Sequence, residues 1–243
     1  MYCCSATYIL DKDGDLTSMS NKKSKKTNES LIDNNIYQYL LDNTLKQSDT
    51  LKNMLAQAQV DDHAMMLTTP EQLQFLALFL KIIGAKKVLE VGFFRGVGTL
   101  AIAEALPDDG EIFALDITCE HLESYKKYWD KAGVSHKIKL QIKPAIDSLK
   151  ILEQEHINTF DFIYIDADKE RYEDYYQHCY NLLKTGGVMI LDNMLRGGKV
   201  ADKTNTNKSI EAIRRCNKLI KADSRVEAVL LPVGDGINIV RKV

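Results

Sequence analysis

Residues 86–98, Lys-Lys-Val-Leu-Glu-Val-Gly-Phe-Phe-Arg-Gly-Val-Gly, restrict the fold more than any other stretch of the chain. A short apolar run, Val88, Leu89 and Val91, enters a turn carrying Gly92, Gly96 and Gly98, and leaves as the helix-like Thr99-Leu100-Ala101-Ile102-Ala103. Strand, tight turn and helix follow in succession. In an open α/β sheet this junction is where ligands sit, because the strand ends there, glycine allows close backbone approach and the helix amides point outward. Any βα turn favours glycine, so loop grammar alone does not separate a cofactor cradle from a structural turn. The order of the glycines is more selective. A G-x-G-x-x-G dinucleotide fingerprint counted from Gly92 needs glycine at position 94, where Phe94 stands. Glu90 places a carboxylate where a pyrophosphate would have to lie, and suits a cationic or hydroxyl-bearing ligand better. Glu90, Gly92, Phe94 and Gly98 are therefore candidate cofactor contacts in a cradle for something other than a pyrophosphate.

The pattern around the cradle predicts an α/β fold. Leu31 to Ala58 carries Ile36, Tyr37, Leu40, Leu41 and Leu45, then Leu51, Leu55 and Ala58, at helical spacing. Thr68-Thr69-Pro70-Glu71 is a helix start, with threonine before proline and an acid in the first turn. After the cradle, strands at Glu111–Asp116, Ile138–Ile142, Phe160–Asp166 and Val188–Leu191 alternate with helices at Glu120–Ala132, Ala145–Glu155 and Tyr172–Leu183. Such alternation means a parallel sheet with right-handed crossovers. Beyond a helix around Ile210–Ile220, Val226–Leu231 and Ile237–Val240 flank Pro232-Val233-Gly234-Asp235-Gly236, a hairpin adding antiparallel strands at one edge. The expectation is a doubly wound, seven-stranded, mostly parallel Rossmann-like sheet with a C-terminal antiparallel hairpin and N-terminal helices. Residues 1–30 mix Asp, Lys, Ser, Asn and Gly without a period and are expected to be a mobile polar tail, with Lys22, Lys23, Lys25 and Lys26 a solvated charge run. Residues 31–243 are expected to form one domain, helices over 31–65 and a core over 66–243.

Several function classes are excluded by bulk properties. A net charge of -2 gives no electrostatic case for nucleic acid or an anionic membrane as the main partner. No apolar run approaches the ~20 residues needed to span a bilayer, and Tyr2 to Leu10 lacks the basic flank and length of a signal peptide. The five cysteines contain no C-x-x-C pair, so neither a disulfide framework nor a zinc knuckle is expected, and reduced thiols fit a cytoplasmic protein.

Acids at the strand ends carry the chemistry. Asp116 closes the strand after the cradle, where an acid accepts hydrogen bonds from ribose hydroxyls, unless it only caps the next helix. Asp166 ends Phe-Asp-Phe-Ile-Tyr-Ile-Asp, and Asp192-Asn193 end the strand after it. Carboxylate and amide oxygens without His or Cys suit Mg²⁺, Mn²⁺ or Ca²⁺ rather than zinc. Converging acids would repel unless neutralised, which favours a divalent cation over three separate caps. Asp168 and Lys169 share the turn after Asp166; Lys169 is either a salt-bridge partner or, since a neighbouring cation favours a neutral amine, a general base.

The pieces Leu-Glu-Val-Gly-Phe-Phe-Arg-Gly-Val-Gly-Thr, Ala-Leu-Asp-Ile-Thr, Phe-Asp-Phe-Ile-Tyr-Ile-Asp-Ala-Asp-Lys, Gly-Gly-Val-Met-Ile-Leu-Asp-Asn and Leu-Leu-Pro-Val-Gly-Asp-Gly-Ile-Asn-Ile-Val, in this order and spacing from about Met66 to the C-terminus, resemble the cation-dependent class I S-adenosylmethionine O-methyltransferases of the caffeoyl-CoA and catechol type, most of all the bacterial members. The resemblance implies the class I methyltransferase fold and S-adenosylmethionine as methyl donor. It places metal ligands on Asp166, Asp192 and Asn193, cofactor contacts on Thr68, Glu90, Gly92, Asp116, Ala145 and Asp168, and the base on Lys169. It also implies a homodimer and a phenolic small-molecule acceptor. Four positions depart from the family pattern: Leu73 and Pro144 replace glycines, Gly98 a serine or threonine, and Arg196 a tryptophan in the loop that faces the acceptor. A guanidinium there would favour an anionic acceptor. Two other readings are open at this point. A nicotinamide dehydrogenase lacks a task for the acid pair, and a catalytically silent cofactor-binding protein would account for the departures.

Overall fold

A computed structural model describes residues 8–10, 16–18 and 33–243 except His121. The predicted polar tail lies outside the described residues apart from β1 (Tyr8–Leu10) and β2 (Leu16–Ser18), which form a two-stranded antiparallel ladder. Two helices follow, α1 (Asn34–Thr44) and α2 (Asp49–Val60). Each begins with a side-chain cap: Asp33 accepts from Asn35 N–H and Ser48 from Leu51 N–H, satisfying amides that have no intrahelical partner. The Thr-Pro-Glu signal starts α3 (Pro70–Ile83), which stops at Gly84 in the left-handed region.

The core alternates as predicted: β3 (Lys87–Val91), α4 (Val97–Ala105), β4 (Glu111–Asp116), α5 (Glu123–Lys131), β5 (Ile138–Ile142), α6 (Ala145–Glu155), β6 (Phe160–Ile165), α7 (Tyr172–Leu182), β7 (Leu183–Leu191), α8 (Lys208–Ala222), β8 (Val226–Leu231) and β9 (Ile237–Lys242). Two boundaries differ from the pattern by three residues or more. Glu120 N–H donates to Thr118 Oγ1 and Leu122 N–H to the Cys119 carbonyl, so the chain turns before α5 begins at Glu123. Strand β7 starts at Leu183, ahead of the apolar run at Val188, because Leu183 already pairs with Phe160; the register then shifts and pairing resumes between Phe162 and Val188.

The seven strands lie in the order β5-β4-β3-β6-β7-β9-β8, with β3 to β7 parallel and β9 antiparallel to both its neighbours. The hairpin therefore enters the sheet through its second strand, which pairs with β7 and leaves β8 at the edge. Consecutive strand residues point to opposite faces, and two buried clusters record this. Val88, Ile112, Ala114, Phe162, Tyr164 and Ile190 pack with α2, α3, α4 and α5, whereas Leu89, Phe113, Leu115, Ile163, Ile165 and Leu191 pack with α6, α7 and α8. Burial on both faces explains why these strands are near-continuous apolar runs. After β3 the chain builds outward through β4 and β5, then returns to place β6 on the other side of β3. That reversal of strand order opens a crevice at the carboxyl ends of β3 and β6.

Candidate active site

The sheet ladder runs on for one step past the carboxyl ends of its central strands. Gly92 N–H donates to the Leu115 carbonyl at 2.8 Å, Asp166 N–H to Val91 at 2.8 Å and Asp192 N–H to Ile165 at 3.0 Å. Asp116, the cradle, Asp166 and Asp192 thus stand side by side along one rim. Gly92 is required at its place: with φ +91° it passes so close to the Asp166 carbonyl that a Cβ would collide with backbone.

On the cofactor side, Phe94 has φ 51° and donates its N–H to Asp116 Oδ2 at 2.7 Å, while Asp116 Oδ1 accepts from Ile117 N–H at 2.7 Å. Asp116 thereby anchors the cradle loop as well as standing where a ribose contact is expected. Lys143 N–H bonds the Asp116 carbonyl at 2.9 Å, which brings Ala145, the first residue of α6, to the same end of the crevice. The next cradle residue, Arg95, is buried and turned away from the crevice. It donates to the Ala58 carbonyl at 3.0 Å and to the Asp62 carbonyl, tying the end of α2 to the loop.

Glu90 is buried beneath the cradle and faces α4. Thr99 Oγ1 donates to its Oε2 at 2.5 Å, and Gly98 leaves the space that its Oε1 occupies. Burial pushes the carboxyl up to about 8, the Thr99 hydrogen bond pulls the other way, and the charges of Asp166 and Asp116 add to the rise. The hydroxyl that stabilises Glu90 comes from position 99, so the glycine at 98 is compatible with a satisfied carboxylate.

On the other side of the rim, Asp166 and Asp192 terminate neighbouring strands whose last paired residues are Ile165 and Leu191. Asp192 is 2 % exposed, and burial followed by the charge of Asp166 pushes its carboxyl up to about 7, against the pull of Lys169. Tyr164 hydroxyl (2.6 Å) and Gln72 Nε2 (2.8 Å) donate to Asp192 Oδ2, and Asn193 N–H donates to Oδ1 at 2.6 Å. Asn193 itself has φ 56°, a conformation asparagine tolerates better than most residues. Among the described residues no group of three His, Cys, Asp or Glu stands together; the candidate donors are the two carboxylates and the amide of Asn193, next in sequence to Asp192, all hard oxygens. Two adjacent acids, one deeply buried, are unfavourable together without positive charge, and this set fits a divalent cation of the Mg²⁺, Mn²⁺ or Ca²⁺ kind.

Lys169 reaches back to this pair from a 3-10 turn (Lys169–Arg171), its Nζ 2.7 Å from Asp166 Oδ1 and 2.6 Å from the Tyr172 hydroxyl. The i, i+3 spacing of Asp166, Lys169 and Tyr172 puts all three at one point. Burial pushes the Tyr172 phenol well up, as do Asp166 and Asp192, so it stays protonated. Asp168 diverges from this group: its side chain is 59 % exposed and accepts from the Tyr175 hydroxyl. Thr68 lies on the far side of Tyr164, its side chain within hydrogen-bonding reach of that hydroxyl. Tyr172 could have been found from its spacing after Lys169. Gln72, Tyr164 and Thr99 carry no local signal, since each acquires its partner only when separate elements pack.

The loop after β7 is fastened to the turn of the C-terminal hairpin. Met194 N–H bonds the Gly236 carbonyl at 2.7 Å, Leu195 N–H the Asp235 carbonyl at 3.0 Å, and Gly197 N–H the Asp235 carboxylate. Arg196, with φ 48°, is held between them. Partial burial pushes Asp235 up, and after the Gly197 hydrogen bond the positive charges of Arg196, Lys169 and Lys199 oppose that rise, so three cations lie around one half-buried acid.

The chain is similar to known O-methyltransferases along most of its length. The chain is 38 % identical over 223 residues to caffeoyl-CoA O-methyltransferase 1 of Zea mays, covering 88 % of this chain and 86 % of the relative. It is 35 % identical over 234 residues to caffeoyl-CoA O-methyltransferase of Petroselinum crispum, covering 92 % and 97 %. Its structure is similar to that of an O-methyltransferase from Bacillus cereus solved with S-adenosylhomocysteine, with a TM-score of 0.76 at 32 % identity over 86 % of this chain and 97 % of that one. The family profile described as O-methyltransferase matches residues 42–243. With its sheet order, reversed last strand and matched length, the chain belongs to the class I S-adenosylmethionine-dependent O-methyltransferase family.

Proposed function

We propose that this methyltransferase moves the methyl group of S-adenosylmethionine to a hydroxyl of a catechol-like or phenylpropanoid phenol, at a centre where Asp166, Asp192 and Asn193 hold a divalent cation, Mg²⁺ by preference. The observation that carries the reading is the pair of neighbouring carboxylates at the ends of β6 and β7, one buried, next to the cofactor cradle and braced by Lys169. When bound, S-adenosylmethionine supplies the methyl group and the cation supplies a Lewis acid that eases ionisation of an acceptor hydroxyl.

The chain's own residues perform the remaining tasks. Glu90, Gly92, Phe94 and Gly98 shape the cradle, Asp116 and Ala145 receive the nucleoside end, and Thr68 and Asp168 the methionine end. Lys169 takes up the acceptor's proton at Nζ. A neutral amine has two N–H bonds, which Asp166 and Tyr172 can accept, and one lone pair, which takes the proton. Methyl transfer from a sulfonium to a phenolate neutralises charge, so holding the two reactants in near-attack geometry is the main source of acceleration, which can contribute about 7–11 kcal/mol. Arg196, with Lys199 nearby, favours an acceptor that carries an anionic group beyond the reacting ring. Leu78 and Ile82, one turn apart on α3 and both exposed, are offered as part of a homodimer face, to be checked by light scattering.

The test is an acceptor screen with labelled S-adenosylmethionine, with and without Mg²⁺. Catechol-type phenols are expected to be methylated only with the metal. Lys169→Met is expected to lose about 10²- to 10⁴-fold in kcat, the usual contribution of a general base. Full activity after EDTA treatment, or in Asp166→Ala, would overturn the metal reading.

A further inference from the structure

Asp192 receives more support than a strand-end acid needs. Its Oδ2 accepts two side-chain donors, Tyr164 hydroxyl at 2.6 Å and Gln72 Nε2 at 2.8 Å, and the same Gln72 Nε2 lies 3.1 Å from the Tyr164 hydroxyl. The three groups close a triangle. Tyr164 is 1 % exposed, Gln72 2 % and Asp192 2 %, and they come from β6, α3 and the position just after β7. The other end of the Gln72 amide is blocked, because its Oε1 sits against the hairpin tip at Gly234, where a Cβ would collide with it. Gln72 therefore bridges the hairpin tip and Asp192.

The two carboxylate oxygens are treated differently. Oδ2, with two donors, has both lone-pair positions used, whereas Oδ1 has only the Asn193 N–H at 2.6 Å and keeps one position open. We propose that Tyr164 and Gln72 are positioning residues that lock the Asp192 carboxylate through Oδ2, present Oδ1 as the ligand atom, and thereby set the affinity of the site for a divalent cation. The proposal rests on the metal reading above. Groups that orient a ligand carboxylate from behind typically change metal affinity 10- to 100-fold when removed. Phenylalanine would fill the Tyr164 site on the sheet face as well as tyrosine does, next to Phe162 and the α3 side chains, so packing alone does not call for a hydroxyl there.

The experiment is titration of Mn²⁺ into the full-length protein saturated with S-adenosylhomocysteine, following free Mn²⁺ by electron paramagnetic resonance, for wild type, Tyr164→Phe and Gln72→Met. Each variant is expected to bind Mn²⁺ about 10- to 100-fold more weakly, while S-adenosylhomocysteine affinity measured without metal stays within about threefold of wild type. Should Tyr164→Phe fail to fold, judged by its melting curve, Gln72→Met carries the test. Mn²⁺ affinities equal to wild type, or parallel losses of Mn²⁺ and S-adenosylhomocysteine binding in both variants, would overturn the positioning role. A wild type that binds no Mn²⁺ at all would instead remove the metal reading, and the proposal with it.

Discussion

Glu90 occupies the space that a side chain at position 98 would need: a Cβ built on Gly98 would lie 2.6 Å from Glu90 Oε1. Glycine is there because a buried carboxylate crosses from β3 to the first turn of α4, where Thr99 receives it. Where the family pattern has a serine or threonine at position 98, the hydroxyl bonded to Glu90 here comes from Thr99 instead.

Replacing Gly98 with alanine is expected to destabilise the protein by about 1–3 kcal/mol, the usual cost of overpacking a filled core. Intrinsic helix propensity alone would act in the opposite sense by about 1 kcal/mol. In a Glu90→Ala background the collision is gone, and Gly98→Ala should become neutral or stabilising. Urea unfolding of the four proteins closes the cycle. Stabilisation by Gly98→Ala in the wild type would show that Glu90 does not hold that space.

Glu90 also makes stability depend on pH. Its carboxyl is pushed up to about 8 in the fold, from an ordinary 4.5. Between those values the unfolded chain has lost the proton and the folded chain retains it, so the folded state binds more protons and stability falls as pH rises through this window. Acting alone, a shift of that size corresponds to an upper limit on the order of 5 kcal/mol. Glu90→Gln cannot ionise and should escape this loss. In melting curves of ligand-free protein from pH 5 to 8.5, the variant's advantage over wild type should grow with pH. A constant difference across the range would contradict the buried, proton-bearing carboxyl.

Arg196 should select acceptors by charge. Removing it as Arg196→Ala is expected to raise KM about tenfold for a catechol bearing a carboxylate, in line with a charge-assisted contact of about 1.5 kcal/mol. A catechol of similar size with an ester in place of the carboxylate should change little. Steady-state kinetics on the matched pair decide it; equal effects on both acceptors would mean that Arg196 shapes the loop without reading charge.

Much of the fold was legible in the chain because its signals are local. The runs around Val88, Ile112, Ile163 and Met189 are apolar on both faces, α5, α6 and α7 between them are amphipathic, and βαβ handedness then leaves few arrangements. Asp116, Asp166 and Asp192 could be found for the same reason, since each stands where an apolar strand stops. Their grouping was a weaker inference. It depends on β6 pairing with β3 on one side and β7 on the other, which no local pattern encodes.

By itself, then, the sequence determined the strand–helix alternation, the glycine cradle at Gly92, the acids at the strand ends and the Lys169 turn, all of them properties of neighbours along the chain. Tertiary structure alone decided what those acids touch. Gln72 reaches Asp192 across 120 positions and Tyr164 across 92, and Tyr164 meets Asp192 across 28, only because α3 packs on the face of the sheet that carries Tyr164. Gly98 became intelligible only when β3 and α4 enclosed Glu90 between them. Period and propensity record which way a side chain points; which buried donor it finds there depends on how separate elements pack, and the cost of leaving a buried polar group unpaired makes that pairing obligatory.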